Sequence, residues 1–247
     1  MTYRDELLRD NYTFEQAEVI QIKYQRLIKN SRVNEDIIDT KSIKTIAGAD
    51  ISYYIENDIE FGVACAVNWN IENESMEESA FENDIIKFPY RSGFLGFREC
   101  KLLAKVISKL QKRPDLVLCD GHGKIHPKRF GEAVHLGFAL NIPTVGVAKT
   151  PFIGYSKWNE MDRIKENKTP VWAEKPENKI EILLTELLGY AVCLKNYTKP
   201  VFISEGYKIN LDAAVNICLA TTRDHRQPEP LYLADHFSRE KAQKCIQ

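Results

Sequence analysis

The sequence predicts a single α/β domain, and three observations carry that reading. The first is the stretch from Asp115 to Lys149, DLVLCDGHGKIHPKRFGEAVHLGFALNIPTVGVAK. Its apolar run Leu116-Val117-Leu118-Cys119, bounded by Pro114 and Asp120-Gly121, reads as a short strand buried on both faces, as in a parallel sheet. A helix from about Phe130 to Leu140 follows, Asn141 ends it, and Ile142 to Val147 forms a second strand that delivers Lys149 to its carboxyl end. In open α/β sheets built from such units, the ligand crevice lies outside the carboxyl ends of the strands. The second observation is a pair of β-rich runs, Ile43 to Tyr54 and Ile59 to Trp69, flanking the turn Glu56-Asn57-Asp58, which predicts an antiparallel hairpin. The third is size: 247 residues at 44% hydrophobic content suffice for one full core. No repeat, low-complexity tract or linker divides the chain. The expected domain spans 1–247, with residues 1–40 an N-terminal helical segment packed on the core.

The remaining elements follow in order. Thr13 to Lys29 carries Phe14, Ala17, Val19, Ile20, Ile22, Leu27 and Ile28 between charges, an amphipathic packing helix. Asn34 to Lys44 is a polar connector. Beyond the hairpin, Ile85 to Phe88 is expected to pair beside it as a third strand. Phe88 to Glu99 reads FPYRSGFLGFRE, a Pro/Gly loop followed by a helix from Phe97 to about Gln111. Lys157 to Lys168 is a charge-rich, solvated insertion, and Ile180 to Leu188 is short and apolar. Tyr190 to Leu194 and Pro200 to Ile203 make another hairpin, closed by Ser204-Glu205-Gly206. Leu211 to Thr221 is an Ala-rich helix with Asn210 or Asp212 near its start. Pro228 and Pro230 break the backbone before a last helix from about Leu231, with Asp235 and His236 in its early turns.

Composition excludes several classes. Thirty-four Lys and Arg balance 35 Asp and Glu, which argues against a tail-driven electrostatic binder but leaves room for a local phosphate footprint. Six cysteines lie far apart, four of them (Cys65, Cys119, Cys193, Cys218) inside apolar runs. They read as reduced core thiols, without a disulfide frame or zinc knuckle. The polar N-terminus is unlike a signal peptide and no apolar run approaches membrane-spanning length, so a cytoplasmic protein is expected.

The chemistry-bearing residues converge on the crevice. Asp50 interrupts an apolar strand, Ile46 to Ala49 preceding it. A buried carboxylate there is costly without a charged partner or a metal, whereas one on a solvent-facing side is ordinary. Asp120 ends its own strand, and Gly121 and Gly123 let the backbone turn and approach a ligand. With Glu99 and Asp235 these carboxylates make an all-oxygen set suited to Mg²⁺ or Mn²⁺. His122 and His126 lie in a Gly-rich loop with no thiolate nearby, which disfavours zinc. A Mg²⁺ site beside Lys149 and the His126 imidazole fits phosphodiester hydrolysis. Lys124, Lys128 and Arg129 are placed to hold flanking phosphates. Aromatic residues on the 88–97 loop read either as hydrophobic plugs or as wedges into a base stack. No nucleophile elbow, Walker A loop or dinucleotide fingerprint is present.

The ordered motifs IAGADISY (Ile46 to Tyr53), FPYRSGFLGFRE, DGHGKIHPKRFGEAVHLG (Asp120 to Gly137), GVAK (Gly146 to Lys149), Ser204-Glu205-Gly206 and Pro228-Glu229-Pro230 resemble those of endonuclease V, over roughly Thr45 to His236. The resemblance implies an RNase H-like fold, a mixed sheet flanked by helices. It implies hydrolysis of the second phosphodiester bond 3′ to deoxyinosine or inosine, leaving 3′-hydroxyl and 5′-phosphate ends, in repair of deaminated adenine. By position, Asp50, Asp120 and Glu99 match the metal-binding acidic set, and His126 and Lys149 match basic residues near the scissile phosphate. Tyr90, after Pro89, matches an aromatic wedge. The lesion base would enter a pocket lined by the Gly93 and Gly121 loops, with His122, Lys128 and Arg129 on the substrate side. The chain departs from the family at Arg91-Ser92, where a proline is usual, at Tyr207, and at Tyr232, where an arginine is usual. Asp235 stands where a histidine is frequent. Other readings are an RNase H-like nuclease acting on mismatched or structured strands or inosine-containing RNA, and a non-cleaving binder of inosine-containing nucleic acid. A monomer is expected.

Overall fold

The structure, a computed structural model, describes residues 3–30 and 37–245, and residues 34–36 of the expected connector lie outside them. One eight-stranded sheet runs through the molecule in the order β3-β2-β1-β4-β5-β8-β7-β6. The strands are β1 (Thr45–Glu56), β2 (Ile59–Asn70), β3 (Ser75–Ile85), β4 (Leu116–Cys119), β5 (Thr144–Ala148), β6 (Lys168–Trp172), β7 (Leu187–Val192) and β8 (Val201–Tyr207). β1, β4 and β5 are parallel, and antiparallel strands flank them on both sides. It is the mixed α/β fold that the sequence predicts. The helices are α1 (Tyr3–Leu7), α2 (Phe14–Asn30), α3 (Leu95–Ile107), α4 (Glu132–Leu140), α5 (Lys179–Leu184), α6 (Leu211–Thr221) and α7 (Glu229–Cys245). None is long and apolar enough to cross a membrane, among the described residues.

Local chemistry explains where the elements start and stop. Thr13 and Gln16 exchange side-chain and backbone hydrogen bonds at the head of α2, a capping box. The β1–β2 turn is tight because Asn57 and Asp58, residue types that tolerate the left-handed region, take φ of 50° and 62°. Asn141 does the same at the end of α4, with φ 51°. Asn210 accepts a hydrogen bond from Ala213 N–H and caps α6.

Alternation along the central strands sorts the core. Ala47, Ala49, Val117 and Cys119 face α3 and α4, whereas Ile46, Leu116, Leu118, Val145 and Val147 face α6 and the start of α7. On the second face α7 lies directly against β1: a Cβ at Gly48 would stand 2.2 Å from the Pro230 carbonyl carbon. Phe88, Phe97, Phe130, Phe138 and Tyr24 form an aromatic cluster that ties α1 and α2 to α3 and α4.

Four expectations need correction. The third strand is Ser75–Ile85, not Ile85 to Phe88; it is an edge strand whose solvated faces keep it polar, and Phe88 instead fills the aromatic cluster. Ser204, Glu205 and Gly206 lie inside β8 rather than after the hairpin. The 157–168 stretch is not wholly solvated, because Trp158 packs edge-on against Phe202 at 5.5 Å, and Lys168 opens β6. Ile180 to Leu188 divides into α5 and the start of β7, and Leu183 and Leu184 of α5 are exposed.

Candidate active site

The parallel pairing of β1 with β4 ends at Ala49 opposite Cys119. Asp50 and Asp120 are the next residues on each strand, so register alone sets two carboxylates side by side. β5 runs parallel on the far side of β4, with Cys119 opposite Gly146, and carries Lys149 just past its end. Lys149 Nζ donates to Asp120 Oδ2 at 2.5 Å and stands 3.7 Å from Asp235 Oδ2 of α7. The Gly48 contact makes this approach of α7 possible, and Ser238 of the same helix reaches Asp50 Oδ2 at 3.3 Å. Arg226, ahead of α7, donates to the carbonyls of Lys149, Lys199 and Pro200 and fixes the strand end that holds the ammonium.

Glu99 enters from α3. The Tyr53 hydroxyl of β1 donates to its Oε1, and the Arg98 guanidinium lies 4.6 Å over the Tyr53 ring while bonding Glu60 at 2.6 Å. Burial raises the Glu99 carboxyl to about 7 despite that hydroxyl. Asp50 is raised by burial and then by Asp120, Glu99 and Asp235, and Asp120 is raised by burial against the opposing pull of Lys149. Lys149, which burial alone would lower, is held above its ordinary value by Asp120, Asp235 and Asp50. The site is thus an acidic set short of positive charge.

Beside it opens a cavity of about 360 Å³, lined by Gly93, Gly96, Gly121, His122, His126 and Phe152 among others. Tyr90 stands at its rim, 71% exposed, with Pro89 also in solvent. His126 donates from Nε2 to Gly93 O at 3.0 Å and accepts Lys128 N–H at Nδ1. Burial lowers its pKa to about 4, so the imidazole is neutral and joins two loops rather than presenting a charge. His122 bonds Thr150 O at 2.9 Å. The three basic residues of the loop are each engaged: Lys124 with Glu205, Lys128 with Glu18 and Arg129 with Glu186.

The sequence model of the endonuclease V family matches residues 26–236. The chain belongs to the endonuclease V family. A Nostoc punctiforme endonuclease V is 31% identical over 229 residues, covering 93% of this chain and 95% of that one. The Bacillus subtilis endonuclease V crystal structure shares 28% identity and a TM-score of 0.78, with 95% of each chain covered. A Ciona intestinalis endonuclease V, 27% identical with a TM-score of 0.74 over 94% of this chain and all of that one, was crystallised with a 24mer DNA containing an inosine followed by a ribo-adenosine. The family is one of nucleases.

Asp50, Asp120, Lys149 and Asp235 therefore meet at one rim, with Glu99 beneath it and Tyr90, Gly93, Gly121, His122 and His126 around the adjoining cavity. Lys128 and Arg129 lie on the loop's outer side, tied to α2 and to the residue before β7. Sequence reasoning missed Glu132. Its carboxyl is buried and hydrogen-bonds the Glu99 carboxyl, and a Cβ at Gly121 would fall 2.0 Å from its Oε2. Burial and then Glu99 raise its pKa strongly. The signal was a lone acid in the otherwise apolar helix start FGEAV. Tyr53 and Arg226 were also missed; nothing in their local sequence distinguishes them.

Proposed function

We propose that the protein is a monomeric endonuclease that uses a divalent metal, Mg²⁺ with Mn²⁺ able to replace it, to hydrolyse the second phosphodiester bond 3′ to deoxyinosine or inosine. The products carry 3′-hydroxyl and 5′-phosphate ends, as repair of deaminated adenine requires. The observation that carries this reading is the pairing of Asp50 and Asp120 at the ends of two parallel strands, beside Lys149 and next to a cavity that a displaced base would fill. The relative bound to inosine-containing DNA supports the choice of lesion.

The donor set fits a hard cation, because Asp50, Asp120, Glu99 and Asp235 offer only oxygen and repel one another. Among the described residues no three acidic, His or Cys groups stand close enough together to hold an ion as they are, and the Lys149 ammonium lies between Asp120 and Asp235. Asp50, Asp120 and Glu99 would hold the ion, which would polarise the phosphodiester and make an attacking water more acidic. Lys149 would stabilise charge on the phosphoryl oxygens. The neutral His126 would hold the Gly93 loop against the Gly121 loop, and Tyr90 would fill the space left by the displaced base.

The test is cleavage of end-labelled oligonucleotides with a single deoxyinosine or inosine, as DNA and as RNA, with Mg²⁺ or with chelator, beside Asp120→Asn. Metal-dependent nicking at the second bond 3′ of the lesion, lost in the variant, is expected. Binding without cutting would replace the nuclease reading with that of an inosine binder, and neither would overturn both.

A further inference from the structure

Three aromatic rings at the start of α7 lie parallel. The His225 and Tyr232 rings have centroids 3.3 Å apart and an interplanar angle of 8°, and His236 continues the ladder 6.1 Å from Tyr232 at 7°. Glu229 fixes the first ring, accepting from His225 Nδ1 at 3.0 Å. Tyr232 is half-buried and His236 exposed, so the ladder edge faces solvent. His225 and Tyr232 overlap face to face, and His236 lies parallel to Tyr232 at the wider spacing, its own ring tilted 52° against Phe237.

The ladder is attached to the candidate site at both ends. Tyr232 and Asp235 are i, i+3 neighbours on α7, within one helical turn of about 5.4 Å, and Asp235 stands 3.7 Å from Lys149 Nζ. His225 precedes Arg226, whose guanidinium holds the Lys149 carbonyl at 2.7 Å. Arg239 follows His236 by one turn and pairs with Asp235 at 2.5 Å. Aromatic rings interleaved with Arg226 and Arg239 make the pattern that binds single strands without reading their sequence. No residue of α7 lines the cavity beside Tyr90. Asp120 and Lys149 line that cavity, and Asp235 of α7 stands beside Lys149, so the acidic set joins the cavity to the helix that carries the ladder. On the nuclease reading the cut lies 3′ of the lesion, so a strand that runs from the cavity past Asp120 to Asp235 brings its 3′ side to α7.

We propose that His225, Tyr232 and His236 form a stacking platform for unpaired bases on the 3′ side of the cut. The platform rests on the nuclease reading above for the direction of the strand. Tyr232 offers the strand a ring rather than a charge, so its contribution is tied to bases rather than to backbone phosphates.

The experiment compares KM for single-stranded inosine substrates whose 3′ extension beyond the cut carries either normal bases or abasic residues. The unsubstituted protein, Tyr232→Ala, Tyr232→Phe and His236→Ala are measured with Mg²⁺. The unsubstituted protein is expected to favour the normal extension by roughly 5- to 150-fold, the range that stacking one base on an aromatic side chain gives. That ratio falls towards one in Tyr232→Ala, falls in part in His236→Ala, and is kept by Tyr232→Phe. His236 is exposed, so its variant reports on the platform even if Tyr232→Ala fails to fold. Equal KM for normal and abasic extensions in the unsubstituted protein, or an undiminished ratio in both alanine variants, overturns the platform while leaving the nuclease intact. A protein that neither cuts nor binds the inosine strand overturns the function itself.

Discussion

Lys149 sits between two carboxylates and beside the expected path of the scissile phosphate, so its removal separates chemistry from binding. Lys149→Ala should lower kcat by about 10²- to 10³-fold, the usual cost of losing one stabilising group at a developing charge, with KM changing far less. A single-turnover assay at saturating substrate checks this, and a variant altered only in KM would remove Lys149 from the chemistry. Glu132 makes the opposite kind of case. Its buried carboxyl shares a side-chain hydrogen bond with Glu99, so Glu132→Leu should leave Glu99 without that partner and destabilise the fold by about 1–3 kcal/mol in denaturant unfolding; undiminished stability would mean that the two carboxyls do not support each other. At this scale Asp50, Asp120 and Lys149 were legible because each closes or interrupts an apolar strand. Tyr53, Glu132 and Arg226 were not, because their roles come from tertiary neighbours on other elements.

Among the elements, α7 has the narrowest tolerance. Its first turn rests on Gly48 with no room for a methyl group, and it carries Asp235 and Ser238 to the site. Gly48→Ala should therefore destabilise by about 1–3 kcal/mol or more, as overpacking does, and should also lower activity by displacing Asp235. Thermal unfolding and cleavage measured together check it; full stability and full activity would mean that the helix yields without consequence. The βαβ unit and the first hairpin were readable because their periodicities and turn residues are local. β3 and β6 were not: both are sheet-edge strands, whose polar composition hides them from a search for apolar runs.

Across the molecule, the buried acids couple stability to pH. Glu99 has an ordinary value of 4.5 and a folded value of about 7, so the folded state keeps a proton that the unfolded state has lost. Its contribution is complete below about 4.5 and is lost as pH rises through about 7. Metal-free protein should melt at a progressively lower temperature from pH 5 to pH 8, and Mg²⁺ should restore more of the loss at pH 8 than at pH 5. Calorimetry in chelator and in Mg²⁺ checks this, and a metal-free Tm that is flat or rising across that window would refute it. The overall architecture was legible because composition, the hairpin and the crossover all pointed to one sheet; the docking of α7 on β1 was not, since a lone glycine in a strand does not name its partner. That docking also bears on how the protein is born. β1 leaves the ribosome well before α7, so a nascent chain holds Asp50 without Asp235 while the intervening strands and helices are made. Hydrolytic competence should arrive abruptly with α7, and the slowest step of folding should be the long-range closure that brings α7 onto β1.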